Sequence, residues 1–453
     1  MRKPPSARTA LSVLTGVNLL NYVDRYIPAG AMPLILATFG ASDAKGGLLQ
    51  SLFMFPYAIV SPLAGALGDR TRRFGVAGVG VLIWSAATFA SGLAPSFTIL
   101  MIARVVIGIG EASYSVVTPP LLGDYYPPAR QVRVLTTFYS ALPIGSAIGF
   151  AVGGVIGSHF GWRMAFFLAG IPGVLLAVML LSFRDPPRPG TRAAPDRGHD
   201  PPPATAATEA SDVGLSPPVG WRELARYPSY IINVLSQTIY TFAIGGLAAW
   251  MPTYFFRVRG LPLASATVIF GGIVCVAGFV GTIAGGRVSD AVARRSPVAA
   301  FTVPGVALVV SAPFTWLAIM SPTPIVFWPA MFVTLMLLFV NTGPLNAAMT
   351  NVLPSGVRAR GFGVSTMSIH LLGDALSPFL IGLASSHIGL RLLQGHTLLQ
   401  SSGDHEIPAG TTQLEMNDGK GRQILGAIVG EPEIRSHHSD DIGRVSVHQD
   451  RIT

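Results

Sequence analysis

Four ionisable residues, Asp24, Arg25, Arg104 and Glu111, interrupt long apolar stretches of the chain. Charged groups at membrane depth are costly, and where they occur they line cavities, pair with one another or relay protons. A carboxyl group's hold on its proton depends on the local dielectric and on the distance to a neighbouring arginine. Motion that changes this distance changes proton affinity with conformation, which is a coupling device. A static ion-pair network that fixes packing would use the same residues. Helical geometry turns Asp24 and Arg25 about 100° apart, whereas Asn21 shares a face with both at i+3 and i+4. Arg104 and Glu111, seven residues apart, share one face with about 10 Å of rise between them. Gly108 between them admits another helix at close range.

A second group of polar residues lies at similar depth: Ser113, Tyr114, Tyr139, Tyr240, Asn341, Asn346, His370 and Asp374. Together with Asn21 they are candidates for lining a substrate cavity. Tyr114 follows Glu111 by three and Asp374 follows His370 by four, so each pair shares a helix face. His370 can titrate near neutral pH or serve as a hydrogen-bonded packing residue. The tyrosines can equally be packing or lipid-facing groups.

The elements that must carry these residues are membrane helices. Half of the 453 residues are apolar and only 12% are charged, far from the roughly 25% charge of soluble domains. Apolar windows near 10–35, 47–67, 74–94, 97–122, 134–157, 163–183, 229–254, 264–286, 298–320, 323–349 and 362–386 are each long enough to cross about 30 Å of hydrocarbon. The sequence therefore predicts an all-α polytopic membrane protein with eleven spans. The stretch after Met1-Arg2-Lys3 is too long for a signal peptide's core and holds polar residues, so it reads as a retained first span. The N-terminal bundle runs over 1–183, a proline-rich linker over 184–227, a C-terminal bundle over 228–387 and a polar, disordered tail over 388–453. Counting Arg and Lys with the N-terminus inside gives nineteen in the inner loops and linker against five in the outer loops. The N-terminus and linker are thus expected in the cytoplasm.

Corresponding loops of the two halves repeat one pattern. Gly65-Ala-Leu-Gly68-Asp69-Arg70-Thr-Arg72-Arg73 follows the second span, and Gly286-Arg287-Val-Ser-Asp290-Ala-Val-Ala-Arg294-Arg295 follows the eighth. Pro128-Ala-Arg130-Gln-Val-Arg133 follows the fourth, and Pro354-Ser-Gly-Val-Arg358-Ala-Arg360 the tenth. Two related, pseudo-symmetric helical bundles are a transporter pattern. Asp69 can cap a helix or pair with Arg130 or Arg133, and breaking that contact would release an inner gate. Gly65, Gly68, Asp69, Arg70, Arg73, Asp290, Arg130 and Arg133 are the gating candidates; for arginines here, topology alone is the simpler role.

The loop after span two resembles a signature of the major facilitator superfamily, and Arg104-x-x-x-Gly108-x-Gly110 resembles its span-four motif. Leu20-Asn21-Tyr22-Val-Asp24-Arg25, Gly110-Glu111-Ala-Ser113-Tyr114-Ser115, Phe138-Tyr139-x-x-x-Pro143-Ile-Gly145-Ser146, Asn341-x-Gly343-Pro344-x-Asn346 and His370-Leu-Leu-Gly373-Asp374 resemble the Spinster branch. This resemblance implies the major facilitator fold and places Asp24, Glu111 and their arginines in proton coupling. The substrate class it implies is an amphiphile with an anionic or zwitterionic head, such as a lysophospholipid or sphingoid phosphate. Residues 388–453 depart from the pattern: no apolar run there is long enough for a twelfth span. Either that span is missing or the reading frame shifts near Leu392.

Several classes are excluded or disfavoured. Gly-x-Ser-x-Gly, His-Glu-x-x-His and P-loop motifs are missing, so neither an enzyme nor a nucleotide-driven pump is expected, and no cofactor. The single cysteine, Cys275, rules out an intrachain disulfide and a cysteine-based metal site,. The net charge of +9 is spread over loops rather than gathered in a patch, which disfavours nucleic acid. The sequence thus points to a monomeric, proton-coupled secondary transporter whose partners are membrane lipid, an amphiphilic small molecule and protons. A transporter of small organic anions or drugs is the nearest alternative, and a truncated, non-transporting binding protein the alternative of another class. The preference for arginine over lysine fits a bacterial inner membrane.

Overall fold

In the computed structural model, residues 4–187, 224–296, 298–353, 361, 364–388, 412–417 and 423–428 are described. Most of the linker, the loop holding Arg358 and Arg360, and most of the tail lie outside them.

Residues up to Leu390 form one compact helical unit. Its first helices are α1 (Ala7–Phe39), α2 (Asp43–Ser51), α3 (Met54–Arg70), α4 (Arg73–Gly92) and α5 (Phe97–Tyr125). They are followed by α6 (Pro128–Tyr139), α7 (Ala141–Ala151), a π-helical turn over Val152–Ile156, α8 (Gly157–Phe160) and α9 (Trp162–Ser182). After the linker come α10 (Pro228–Arg257), α11 (Leu263–Ala293), α12 (Ala299–Met320), α13 (Pro324–Phe339) and α14 (Thr342–Val352). A second π-helical stretch, Ile369–Asp374, leads into α15 (Leu376–Ile388). Local signals set the ends of α1: the Ser6 side chain accepts from the Thr9 N–H, and Gly40 closes the helix in the left-handed region at φ 56°, where a side chain would be strained.

Ten helices among the described residues are long and apolar enough to cross a membrane. They coincide with ten of the eleven expected spans. The eleventh, α1, is the longest helix at 33 residues, but Asn18, Asn21, Asp24 and Arg25 lower its hydropathy below that of the others. Its buried face carries Asn18, Asn21 and Asp24, so tertiary partners rather than lipid must satisfy them.

Several spans are broken within their length. Asp43–Arg70 is one span interrupted between α2 and α3, and Pro324–Met349 is interrupted between α13 and α14. Irregular backbone at this depth is tolerated where it is enclosed by protein or lines a cavity. α4 packs between α5 and α9, and α1 runs along α7. Along that seam Gly145 and Gly149 meet the backbone of α1 at Leu19 and Val23, an approach that a side chain would block. α12 packs mainly on α13, with α11 and α14 beside it, and presents Val306, Val309 and Trp316 outward.

The two segments 1–183 and 228–387 meet at the end where α1 gives way to α2. Arg257 Nη1 donates to Asp43 Oδ1 at 2.7 Å, and Ser385 Oγ donates to Asp43 Oδ2 at 2.7 Å. The backbone N–H of Ala44 donates to Ser386 Oγ at 2.9 Å, and within the second segment Trp250 Nε1 donates to the Pro378 carbonyl at 2.9 Å. Gly47 sits against the Pro378 carbonyl and Gly382 against that of Asp43, so closely that a Cβ at either would collide.

Residues 391–453 form a separate unit. Two strands there, β1 (Thr412–Asn417) and β2 (Gln423–Ile428), pair antiparallel with Thr412 opposite Ile428 and Asn417 opposite Gln423. The expectation of a tail without order is corrected at these positions. Polar and apolar residues alternate through Gln413, Leu414, Glu415 and Met416, and a five-residue separation suits a hairpin.

Candidate functional site

The break in the second span organises the site. Phe53 caps α3 at that break, and its carbonyl lies so close to Gly108 of α5 that a Cβ there would overlap it. The expected role of Gly108 as a close-approach point thus falls to the second span. The same turn places the Phe53 ring between two guanidinium groups, 4.6 Å from Arg104 and 5.0 Å from Arg25. Each is within cation–π range. Tyr22 and Tyr57 complete the aromatic surround of Arg25 at 5.4 and 5.8 Å.

Arg25 Nη2 pairs with Glu111 Oε2 at 2.6 Å; the Glu111 side chain is fully buried and that of Arg25 is 16% exposed. Asp24 points elsewhere, as the 100° helical turn requires, and accepts from Thr88 Oγ1 of α4 at 3.3 Å. Arg104, fully buried, reaches the Leu49 carbonyl through Nε at 3.5 Å. The sequence puts Arg104 and Glu111 on one face, but it is Arg25 from α1 that takes the carboxylate. Six buried atoms of this cluster have no protein hydrogen-bond partner: Asn21 Nδ2, Asp24 Oδ1, Arg25 Nε, Arg104 Nη1, Arg104 Nη2 and Glu111 Oε1. Buried polar atoms left open in this way are costly, and they leave the cluster able to exchange partners, protons or water.

Facing it from the other segment, His370 Nδ1 lies 2.9 Å from Asp374 Oδ2 within the second π-helical stretch. The Tyr57 ring lies 5.7 Å from that of His370. Tyr57 thereby stands between Arg25 and His370, linking residues from both halves that the sequence could only place on separate helices. Tyr240 is half-buried on α10.

Other expected site residues are turned to packing. The Tyr114 hydroxyl donates to the Leu14 carbonyl at 2.5 Å, and its ring packs on Trp84 at 5.4 Å. It is a core residue rather than a cavity-lining one, because its face of α5 is covered by α1 and α4. Asn341 is buried, and its amide donates to the Leu337 and Leu338 carbonyls at the α13–α14 break. Asn346 donates back to the Thr342 carbonyl and Ser113 to that of Ile109, each within its own helix. Tyr139 is 48% exposed and packs on Phe138. An apolar groove of about 330 Å³ between α1, α7 and α9, lined by Leu20, Ile148 and Pro172, contains none of these residues.

At the opposite end of the unit, Arg73 is a hub. It donates to Asp124 Oδ2 at 2.6 Å and to Asp69 Oδ1 at 3.1 Å, and its backbone N–H donates to Asp185 at 2.6 Å. Asp69 thus pairs with the arginine one turn on. Gly68 is buried against Val117 of α5, as close packing of the loop requires, and Gly65 lies against Val116. Arg70, Arg130, Arg133 and Asp290 are exposed.

Sequence reasoning missed Asp43, Arg257, Ser385, Phe53, Tyr57, Thr88, Asp124 and Asp185. Arg257 entered only as an outer-loop charge. The Ser42-Asp43 pair opening a helix was the signal available for Asp43, but nothing local tells that its partner lies 214 residues away. Among the described residues no group of three or more His, Cys, Asp or Glu side chains is arranged to hold a metal ion.

The family model of the Major Facilitator Superfamily matches residues 14–378. Protein spinster homolog 1 of Xenopus laevis is 34% identical over 395 residues, spanning 83% of this chain and 72% of that protein. Sphingosine-1-phosphate transporter SPNS2 of Xenopus tropicalis is 32% identical, spanning 84% and 74%. Among solved structures, a bacterial homolog to the human lysosomal transporter Spinster, inward-facing and unoccupied, superposes with a TM-score of 0.74 at 26% identity, covering 89% of this chain and 88% of that one. With its apolar helices, its broken spans and these relatives, the chain is a multi-pass membrane transporter, not an enzyme, and belongs to the Spinster family of the Major Facilitator Superfamily.

Proposed function

We propose that this chain is a proton-coupled secondary transporter that moves an amphiphile with an anionic or zwitterionic head by alternating access. The Arg25–Glu111 pair carries the reading. It sits at membrane depth with Glu111 Oε1 and Arg25 Nε open, so an anionic head meeting Arg25 competes directly with the carboxylate for the guanidinium. Release of Glu111 from Arg25 alters its hold on a proton. Substrate and proton thus act on one ion pair, which is the physical content of coupling.

The aromatic faces of Phe53 and Tyr57 beside Arg25 suit an apolar or cationic moiety next to an acidic one. One relative's name, sphingosine-1-phosphate transporter, agrees with a lysophospholipid or sphingoid-phosphate class. The clasp around Asp43 is the outer gate, closed here, with the N-terminus and linker on the cytoplasmic side of a bacterial inner membrane. The chain acts as a monomer.

Reconstitution into liposomes tests this. Uptake of a lysophospholipid or sphingoid phosphate should follow an imposed pH gradient and collapse with a protonophore. Gradient-independent uptake removes the proton, and uptake of small organic anions in preference to lipids favours the second reading of substrate.

A further inference from the structure

The groove of about 330 Å³ between α1, α7 and α9 has no part in the proposed coupling mechanism. Each of the three elements brings a local irregularity to it. On α1, Gly16, Leu20 and Val23 recur at i, i+4 and i+7 and so share one face, and a Cβ on Gly16 would meet no atom within 4 Å. α7 passes there into the π-helical turn that begins at Val152, a register change found mostly at functional sites. On α9, Pro172 has no N–H to offer the Leu168 carbonyl one turn back, and its ring crowds that carbonyl; both residues line the groove. Among the described residues no ionisable, hydroxyl or amide side chain lines it. Its mouth is edged by Ile148 and Leu168, 40% and 49% exposed. These positions fall near the middle of the spans Arg133–Phe160 and Trp162–Ser182, so the groove opens at hydrocarbon depth.

We propose that this groove seats one acyl chain of a bilayer phospholipid. The medium at that depth is acyl chain, and an empty apolar groove forfeits dispersion contacts that a chain restores. The size agrees: Gly16 to Val23 spans about 10 Å of helix, within the roughly 15 Å of hydrocarbon in one leaflet. Helical geometry separates the chain from the substrate. Arg25 follows Gly16 by nine residues, about 180° round α1 at roughly 100° per residue, so a head group at Arg25 addresses the opposite face. The seated chain packs between α1 and α9, behind the helix that carries Asp24 and Arg25, and holds α1 in place from the lipid side. It is a resident of the N-terminal segment, not cargo, and its binding does not depend on the transport reading above.

The test is photolabelling of the full chain in liposomes that contain a diacyl phospholipid with a diazirine in one acyl chain, with labelled residues mapped by mass spectrometry. Label should be severalfold denser on the groove residues of α1 and α9 than on Val306, Val309 and Trp316, which face outward on α12. Filling the groove should remove it. In Gly16→Leu the new side chain enters open space and replaces a poor helix former with a good one, so folding is favoured; Ile148→Phe narrows the mouth as a second variant. Size-exclusion profiles show that each variant is folded. Groove label lost in these variants, with α12 label unchanged, upholds the proposal. Equal label on the two faces, or groove label undiminished in both variants, overturns it. Loss of groove label in Arg25→Met makes the occupant the substrate, and cross-links between two copies of the chain at the groove make it a second protomer; either result overturns the assignment to a bilayer lipid.

Discussion

Arg25 and Glu111, 86 residues apart in sequence, meet at 2.6 Å with the carboxylate fully buried. Breaking a buried pair from one side leaves an uncompensated charge and costs about 3–5 kcal/mol, whereas replacing both partners with apolar groups can be neutral. Glu111→Leu and Arg25→Met should each lower the unfolding midpoint in detergent, and the double variant should recover most of the loss. Additive losses would mean that the two side chains act independently.

Gradient-driven uptake should be abolished by Glu111→Gln and strongly reduced by Asp24→Asn, with membrane insertion retained. Asp24 is held by Thr88 rather than by an arginine, so Thr88→Val should mimic part of its effect. Uptake assays in vesicles with an imposed pH gradient measure this. Wild-type rates in both carboxylate variants would remove them from coupling.

The clasp at Asp43 joins the two halves through Arg257 and Ser385. Asp43→Asn should shift the balance toward the outward-open state, and Gly47→Leu should do so more strongly, since its side chain would occupy the place of the Pro378 carbonyl. Labelling of a cysteine placed in the cavity, in a Cys275→Ser background, should speed up from outside and slow from inside. The exchanged pair Asp43→Arg with Arg257→Asp should move the rates back toward wild type.

Asp69 and Asp124 both bind Arg73 but differ in setting. The Asp69 side chain is 73% exposed, and that of Asp124 only 12%. Exposed i,i+4 pairs contribute about 0.3–0.5 kcal/mol. Asp124→Asn should therefore destabilise more than Asp69→Asn in thermal unfolding, while Asp69→Asn should act chiefly on labelling rates. Equal midpoints for the two variants would contradict this ranking.

The proposed cytoplasmic N-terminus, combined with the odd number of spans expected from the sequence, predicts that an epitope at Thr453 is reached by antibody outside intact spheroplasts. Protection there, with exposure after permeabilisation, would reverse the tail's side and require another crossing.

Composition and apolar run length determined that this is a helical membrane protein and where its spans lie, because the spanning requirement is local: about 20 apolar residues must satisfy their own backbone within one helix. Ten spans follow from that rule alone, and α1 was legible because its polar residues are few and keep helical spacing. Periodicity also separated the directions of Asp24 and Arg25. It could not choose partners. That Glu111 takes Arg25 from α1 rather than Arg104 from its own helix, that Tyr114 turns into packing against α1, and that Asp43 reaches Arg257 depend on which helix faces meet across 86 to 214 residues of chain. The break at Phe53 was silent in the sequence, since no glycine or proline marks Phe53 itself, and the single Gly373 within Ile369–Asp374 does not by itself specify a π-helical register. Tertiary packing sets both, and they aim Phe53 between two arginines and set Asp374 beside Ser377, so the chemistry of the site belongs to the fold rather than to any one helix.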